Sequence, residues 1–479
     1  MNYISISALV LLLSCTVGSN SLTGQTKSDN IKDFEALAEG QEGNISMSAY
    51  PLVKRSEIKI PVSVKGKRYD LVKDFHASND QFEDVSSKMK HAIDEINAKG
   101  GGTLYIPAGN YAVCNVELKS NVHLLISSQA VLKGYSQGAN GKSYSLFNIG
   151  KESYCENVSI QSDGGKYKVL IPEDPNGVRF VSLTNAKRFL IADAEFYDHK
   201  TKFSCIIFGP TDKTVQNVKN HFIGPTDGVI MDCELHGGDY GYGVIQAQAA
   251  QNVRFYNLYG EGGATLRLET GAKQMNDNQW GGVFDITGKN IMSVRGNAAV
   301  MASPHAMHCG IINLSDITAV SSGFAARIDN GFISNKYVKR ADITVGDFEG
   351  GSLKNVTCFY GTKGQLKVKH LGYLPSELIP LVAEPDAATV CEPAPSACAV
   401  LFEPNYPFDF DHSTVDAIGF NYSEAVLSKP HPLTSEAKAI VKLANQKRDI
   451  AQKEAKILLK TKAMRRKKLN KKKNKKNRI

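Results

Sequence analysis

The chain has 479 residues, 42% of them apolar or aromatic, with 41 glycines and one tryptophan, which is the composition of a turn-rich globular protein. Nothing after residue 14 approaches the roughly 18 consecutive apolar residues of a membrane span, which excludes an ordinary helical membrane protein. The formal charge of +9 is local: residues 460–479 hold 12 Lys or Arg and no acid, so the remainder carries 9 − 12 = −3, and a broadly basic body suited to nucleic acid is excluded.

Residues 1–18 carry an apolar core, Ala8 to Leu13, followed by small residues, the pattern of a secretory signal peptide, although no Lys or Arg precedes the core. Leu12-Leu13-Ser14-Cys15 also resembles a bacterial lipoprotein cleavage box, which would put lipid on Cys15. The expectation is a secreted protein, with a lipid anchor at the cell surface as the variant reading. Nine cysteines are present. Cys391 and Cys398 lie close together in a Pro-rich stretch and suit a disulfide in an exported protein. Most others sit in apolar runs, where a cysteine is a small buried residue. No C-x-x-C pair occurs, so a zinc site is not expected.

Residues 19–66 are polar, and Glu57 to Val64 alternates as an edge strand would. Asp70 to Phe75 reads as a short strand. Met89, Ala92, Ile93 and Ile96 recur with helical period over residues 86–98, with Asp84 or Ser86 to open the helix and Gly100-Gly101-Gly102 to end it. Thr103-Leu-Tyr-Ile106 follows as a strand and Pro107 to Tyr111 as a turn. Short β-rich runs then recur, many opened by Asn and an apolar residue: Asn121, Asn157, Asn217, Asn252, Asn290 and Asn355, with Asn185 and Asn313 splitting the two longest intervals. An Asn at each corner tolerates the left-handed conformation, and a recurrence of this kind reads as a solenoid, whose repeats span roughly 20–45 residues. Prolines 375, 380, 385, 393, 395 and 404 argue against central strands over residues 360–410, which read as an inserted loop or subdomain. Residues 407–425 read as a last coil or an arm. Leu433 to Leu469 is helix-forming, and residues 465–479 are so rich in Lys, Arg and Asn that disorder is expected. The organisation is thus a polar segment (19–66), a β-rich body (67–430, containing 360–410) and a basic helical tail (431–479).

Chemistry concentrates in three stretches. In Thr265-Leu-Arg-Leu-Glu269 the alternation puts Arg267 and Glu269 on one face and Leu266 and Leu268 on the other. Gln246 and Gln248 lie one presumed coil earlier, after Tyr242, and His305 and His308 one coil later, followed by Arg327. The plainer reading of Arg267 and Glu269 is an ion pair on a solvated sheet face. Two histidines three residues apart, without nearby Cys or a clear carboxylate partner, are a weak metal signal.

The helix followed by GGGTLYIPAGNY closely resembles the opening of the pectin-lyase-like right-handed parallel β-helix superfamily, in which that helix caps the first coil. Gln246, then Glu269 in an Arg-x-Glu-Thr context, then His305 and Arg327 resemble the active-site order of the iota-carrageenase family of glycoside hydrolases. The resemblance spans about residues 67–430. It implies an all-β, right-handed parallel β-helix with an N-terminal capping helix, and an enzyme that cleaves β-1,4 linkages in a sulfated red-algal galactan with inversion. Carried onto this sequence, Glu269 would be the general acid, with its pKa raised for that task. Gln246 would help hold the water or an ion, His305 would bind substrate or position the acid, and Arg267 and Arg327 would bind sulfate esters. Tyr242 and Gln248 complete the expected substrate-binding set. No metal or cofactor is required, with a structural calcium or sodium ion admitted. The expected partner is the polysaccharide and not nucleic acid, and the expected state is a monomer. One departure stands out: the family's general base is an Asp two residues after the acid, and here that residue is Gly271. Asp239, Glu261 and Asp277 are replacements by proximity, with Asp277 the first choice. Two other readings remain: a polysaccharide lyase using Arg267, His305 or Tyr242, and a non-catalytic glycan-binding solenoid, for which Gly271 speaks. Polygalacturonases fit less well: Asp227-Gly228 matches one motif, without the accompanying Asp pair and Arg-Ile-Lys.

Overall fold

The structure is a computed structural model describing residues 52–211 and 224–476, with side chains described through residue 457. The leader, Cys15, most of the polar segment and Asn217 lie outside the described residues.

Between Lys67 and Leu427 the chain winds through parallel strands. One wall is a ten-stranded parallel sheet whose members come from successive turns of the chain, among them Ile206–Phe208, Ile245–Ala247, Ala264–Glu269, Ala298–Ser303, Phe324–Ile328 and Val400–Phe402. The rest of the wall is an 18-stranded sheet. There the later coils use long strands, such as Thr226–Gly238, Ala250–Gly262 and His308–Val320, each with a left-handed residue in its interior: Asp232 (φ 56°), Asn257 (φ 53°) and Asp316 (φ 55°). This is a parallel β-helix.

The corner asparagines form two ladders, where the sequence suggested one. Strand register stacks Asn121, Asn157, Arg188, Asp227 and Asn252 in one column, and Asp232, Asn257, Asn290, Asp316 and Asn355 in another. All ten have positive φ. Side chains bond from coil to coil, as Asn157 Nδ2 to Asn121 Oδ1 at 2.8 Å and Asn290 Nδ2 to Asn257 Oδ1 at 2.9 Å. The residues that divide the long intervals are Arg188 and Asp316, not Asn185 and Asn313, because a basic or acidic side chain serves at the same backbone position. Inside the solenoid aromatic rings pack tilted or edge-on against one another: Phe180 on Phe196 (5.2 Å between centroids), Phe189 on Phe208 (5.7 Å) and Phe208 on Phe255 (5.7 Å).

The helix Ser86–Ala98 buries Met89, Ala92, Ile93 and Ile96 and packs against Gly102–Ile106 and Val116–Leu118. Neither expected residue is its N-cap, which is Val85; Asp84, one residue earlier, accepts the Ser86 N–H on its Oδ1 at 3.0 Å. Other expectations change. The strand expected over 70–75 is Lys67–Asp70, stopped where the Asp70 carboxylate accepts the N–H groups of Val72 and Lys73. Residues 57–64 join no sheet: Ile58, Ile60 and Val62 lie instead against Leu190, Val229 and Met231 on the outer face of the wall, so the alternation reports a buried side and not strand pairing. Residues 409–410 and 415–418 pair with Asp347–Phe359 as a last coil. Within 360–410, Gly364–Lys367 and Val390–Ala394 form an antiparallel hairpin carrying two short 3-10 helices, Val368–Tyr373 and Ser376–Leu381. Cys391 and Cys398 are free, not bridged: both are buried as apolar groups in that subdomain's core. The helix Ser435–Lys476 runs into the stretch expected to be disordered, since Lys and Arg are good helix formers. No helix among the described residues is long and apolar enough to cross a membrane.

Candidate active site

The site lies on the outward face of the ten-stranded sheet, where alternation along Ala264–Glu269 sends Leu266 and Leu268 fully inward and Arg267 and Glu269 outward. Register stacks Gln246, Arg267, Met301 and Arg327 in one column, and sets Glu269 beside Ser303. Gln246 is therefore level with Arg267 and reaches Glu269 diagonally, its Nε2 3.3 Å from Oε2. Arg267 pairs with the same oxygen and donates to the Gly241 carbonyl. His305 Nε2 lies 2.9 Å from the other oxygen, Oε1. One carboxylate, 13% exposed, is thus held by an amide, a guanidinium and an imidazole.

These contacts set its charge. Burial alone pushes the Glu269 carboxyl up, but the Arg267 guanidinium and the His305 hydrogen bond outweigh it and hold the group down at about 2. The expected raised pKa is not found, because Arg267 and His305 both hold the carboxylate.

His305 occupies a left-handed backbone position (φ 50°), and its ring lies 4.4 Å from that of Phe332. It also explains residue 271. A Cβ there would lie 2.6 Å from His305 Cε1 and 2.9 Å from Nδ1, so the imidazole fills the space a side chain at 271 would need. His308 points elsewhere, bonding Asp347 and Thr344 at 2.8 Å each, and the two histidines share no ligand-binding point.

Arg327 is buried (3% exposed) and pairs with Asp329, Nη2 to Oδ2 at 2.8 Å, rather than with Glu269. Despite burial, which opposes it, the Asp329 charge drives its pKa up. Tyr242 places its ring 5.7 Å from the Arg267 guanidinium carbon, and Gln248 is half-buried just past Ile245–Ala247. Asp277 is on a short helix, Lys273–Asn278, where it pairs with Lys273 and accepts from the Tyr337 hydroxyl at 2.7 Å. Asp239 accepts the Tyr240 N–H, and Glu261 pairs with His236 and Arg295.

Four residues here were not singled out from sequence. Tyr240 is half-buried and within electrostatic reach of Arg327, Arg267, Asp329 and Glu269. Lys367 sits 5.0 Å over its ring, and Lys369 follows in the same subdomain, near Arg327, Asp329 and Glu269. The fourth is Asp329. The alternation Lys367-Val-Lys369 and the pair Arg327-x-Asp329 were the available signals. On the other sheet, ligand atoms of Glu195, Glu234 and His236 lie within 4.8 Å of one another, but Lys166 already neutralises Glu234.

Residues 71–283 match the family described as rhamnogalacturonase A/epimerase, pectate lyase-like. An iota-carrageenase of Alteromonas macleodii is 34% identical over 294 residues, 61% of this chain and 58% of that protein. Over that span the chain is similar to iota-carrageenases. A second, from Zobellia galactanivorans, is 34% identical over 274 residues, 57% of this chain and 54% of that one, so the chain spans just over half the length of these curated relatives. A solved galactohydrolase, described as acting on a galactose-4-sulfate and 3,6-anhydrogalactose-2-sulfate polymer, superposes with a TM-score of 0.70 at 26% identity, over 83% of this chain and 100% of that one. Sequence and fold together make this chain a right-handed parallel β-helix.

Proposed function

We propose that the protein is an exported glycoside hydrolase that cleaves β-1,4 linkages of a sulfated galactan, iota-carrageenan or a close relative, by an inverting mechanism with Glu269 as general acid. The observation that carries this reading is the single carboxylate held between Gln246, Arg267 and His305 on an outward sheet face, in a chain 34% identical to iota-carrageenases. Arg267, Lys367 and Lys369 supply cations for sulfate esters, Arg267 with a planar fork that suits an oxyanion. A sulfate engaging Arg267 weakens the leading cause that keeps Glu269 ionised. Burial then dominates, and the carboxyl gains the proton it must deliver to the departing oxygen. His305 orients that carboxyl, and Gln246 holds water at the cleavage point. The polymer is the partner, engaged by a monomer without a required cofactor.

Gly271 favours a second reading, a glycan-binding solenoid without catalysis. The deciding experiment is reducing-sugar release by the purified chain from iota-, kappa- and lambda-carrageenan, with Glu269→Gln in parallel. Product from the parent chain, abolished in the variant, supports hydrolysis. Binding without product supports the second reading, and an unsaturated, ultraviolet-absorbing product supports a lyase.

A further inference from the structure

An inverting hydrolase needs a second carboxylate, and residue 271 supplies none. We propose, resting on the hydrolase reading above, that Asp329 is the general base of this site.

Four observations converge on it. Ala302 pairs with Ile328, so Asp329 is the next residue along, level with Ser303, which itself pairs with Glu269. The two carboxylates therefore stand in one column, two rungs apart with Ser303 between them. Two rungs of about 4.8 Å separate their backbones by about 9.6 Å. Backbones that far apart leave room for the carboxyl separation of about 6.5–9.5 Å that admits water in inverting enzymes, wider than the roughly 5–5.5 Å of retaining ones. Next, Arg327-x-Asp329 repeats Arg267-x-Glu269: in each pair a guanidinium holds one oxygen of the acid two residues on. Third, Asp329 Oδ1 is buried and finds no hydrogen-bond partner among the described residues. A buried carboxylate oxygen left without a donor is costly, and water is the donor that fits. Fourth, both Tyr240 and Lys369 are within electrostatic reach of Asp329 and of Glu269, which places the two acids around one pocket. The competing acid, Asp277, has both oxygens engaged, by Lys273 and Tyr337.

In the reaction, Asp329 Oδ1 takes a proton from water as the water oxygen bonds to the anomeric carbon. The glycosidic C–O bond breaks with its electron pair going to the departing oxygen, which receives the Glu269 proton. The sum is hydrolysis, with one proton gained by Asp329 and one lost by Glu269, reset through solvent.

The test compares the parent chain with Asp329→Asn and Asp329→Ala on iota-carrageenan. Asn still offers an oxygen to Arg327 but accepts no proton. The expected result is a fall in kcat of about 100-fold or more, the usual scale of general-base catalysis, with the affinity for sulfated oligosaccharide changed less than threefold. In Asp329→Ala, sodium azide entering the vacated space is expected to yield an α-galactosyl azide, the inverted adduct. Activity of Asp329→Asn within fivefold of the parent overturns the proposal, as does a loss matched by an equal loss of binding, which would mean that Asp329 only holds Arg327. If neither variant folds, proton NMR of the parent chain's first-formed product decides: inversion supports the assignment and retention overturns it. Absence of any product from the parent chain is a different failure, that of the hydrolase reading itself.

Discussion

Replacing Arg267 with Gln tests whether the electrostatics of the site are as derived. Glu269 lies at about 2 against an ordinary value of 4.5, a gap of 4.5 − 2 = 2.5 units. At about 1.36 kcal/mol per unit that is about 3 kcal/mol of folding stability. Because the folded value is depressed, this contribution is fully present above pH 4.5 and disappears as pH falls through about 2. It is already down to about 1.4 kcal/mol at pH 3. Burial pushes the carboxyl up and Arg267 leads the causes pushing it down, so removing the guanidinium should raise Glu269 by about 1–3 units and erase much of the contribution. The assay is calorimetric melting of the parent and Arg267→Gln from pH 7 to pH 3. The variant should melt several degrees lower at pH 7, and the gap should shrink by about half at pH 3. Carbon-13 titration of Glu269 would report the pKa directly. A gap that does not change with pH, or a parent carboxyl titrating at 4.5 or above, would refute the reasoning.

Gly271→Ala should push the His305 ring away, since the new Cβ would lie 2.6 Å from Cε1. Losing a hydrogen bond to a charged group costs about 1.5–3 kcal/mol, so kcat should fall about 10- to 100-fold, measured by reducing-sugar release. Asp277→Asn should leave activity within about twofold in the same assay, because the carboxylate it alters serves Lys273 and Tyr337. The double variant Lys367→Ala, Lys369→Ala should raise KM for sulfated polymer several-fold and flatten its dependence on ionic strength, with kcat within about twofold. Phe208→Ala, which removes a buried ring packed between Phe189 and Phe255, should cost about 3–5 kcal/mol, read as a lower melting temperature.

Local periodicity carried the elements that depend on it. The 3.6-residue stripe of Met89, Ala92, Ile93 and Ile96 marks its helix, and the alternation at 265–269 marks which side chains face out. Stacking between coils was less legible. Along the outward column, Arg267 to Met301 is 301 − 267 = 34 residues, while Met301 to Arg327 is 327 − 301 = 26. Each coil carries a connection of its own length, so no fixed period points from one outward residue to the next. For that reason neither the rung that Gln246 shares with Arg267 nor the ion pair of Arg327 with Asp329 is legible in the spacing. The hairpin bearing Lys367 and Lys369 was hidden differently. Its prolines announce a break in the repeat but not the face of the sheet over which the break folds.

The depressed pKa of Glu269 and its assigned role as an acid are opposed only if the unliganded state is the one that reacts. Arg267 cannot fully satisfy Glu269 and a sulfate ester at once, so the two compete for one guanidinium. Linkage makes that competition reciprocal: a sulfate that raises the Glu269 pKa by one unit is bound up to about tenfold more tightly by the protonated protein. On the proposed hydrolase reading, a polymer with sulfate in register would thereby select the protonated acid, whereas an unsulfated one would leave it ionised. On that reading discrimination for sulfate would reside in the chemical step as well as in binding, because the Arg267 charge that would recognise sulfate is the charge that holds Glu269 ionised.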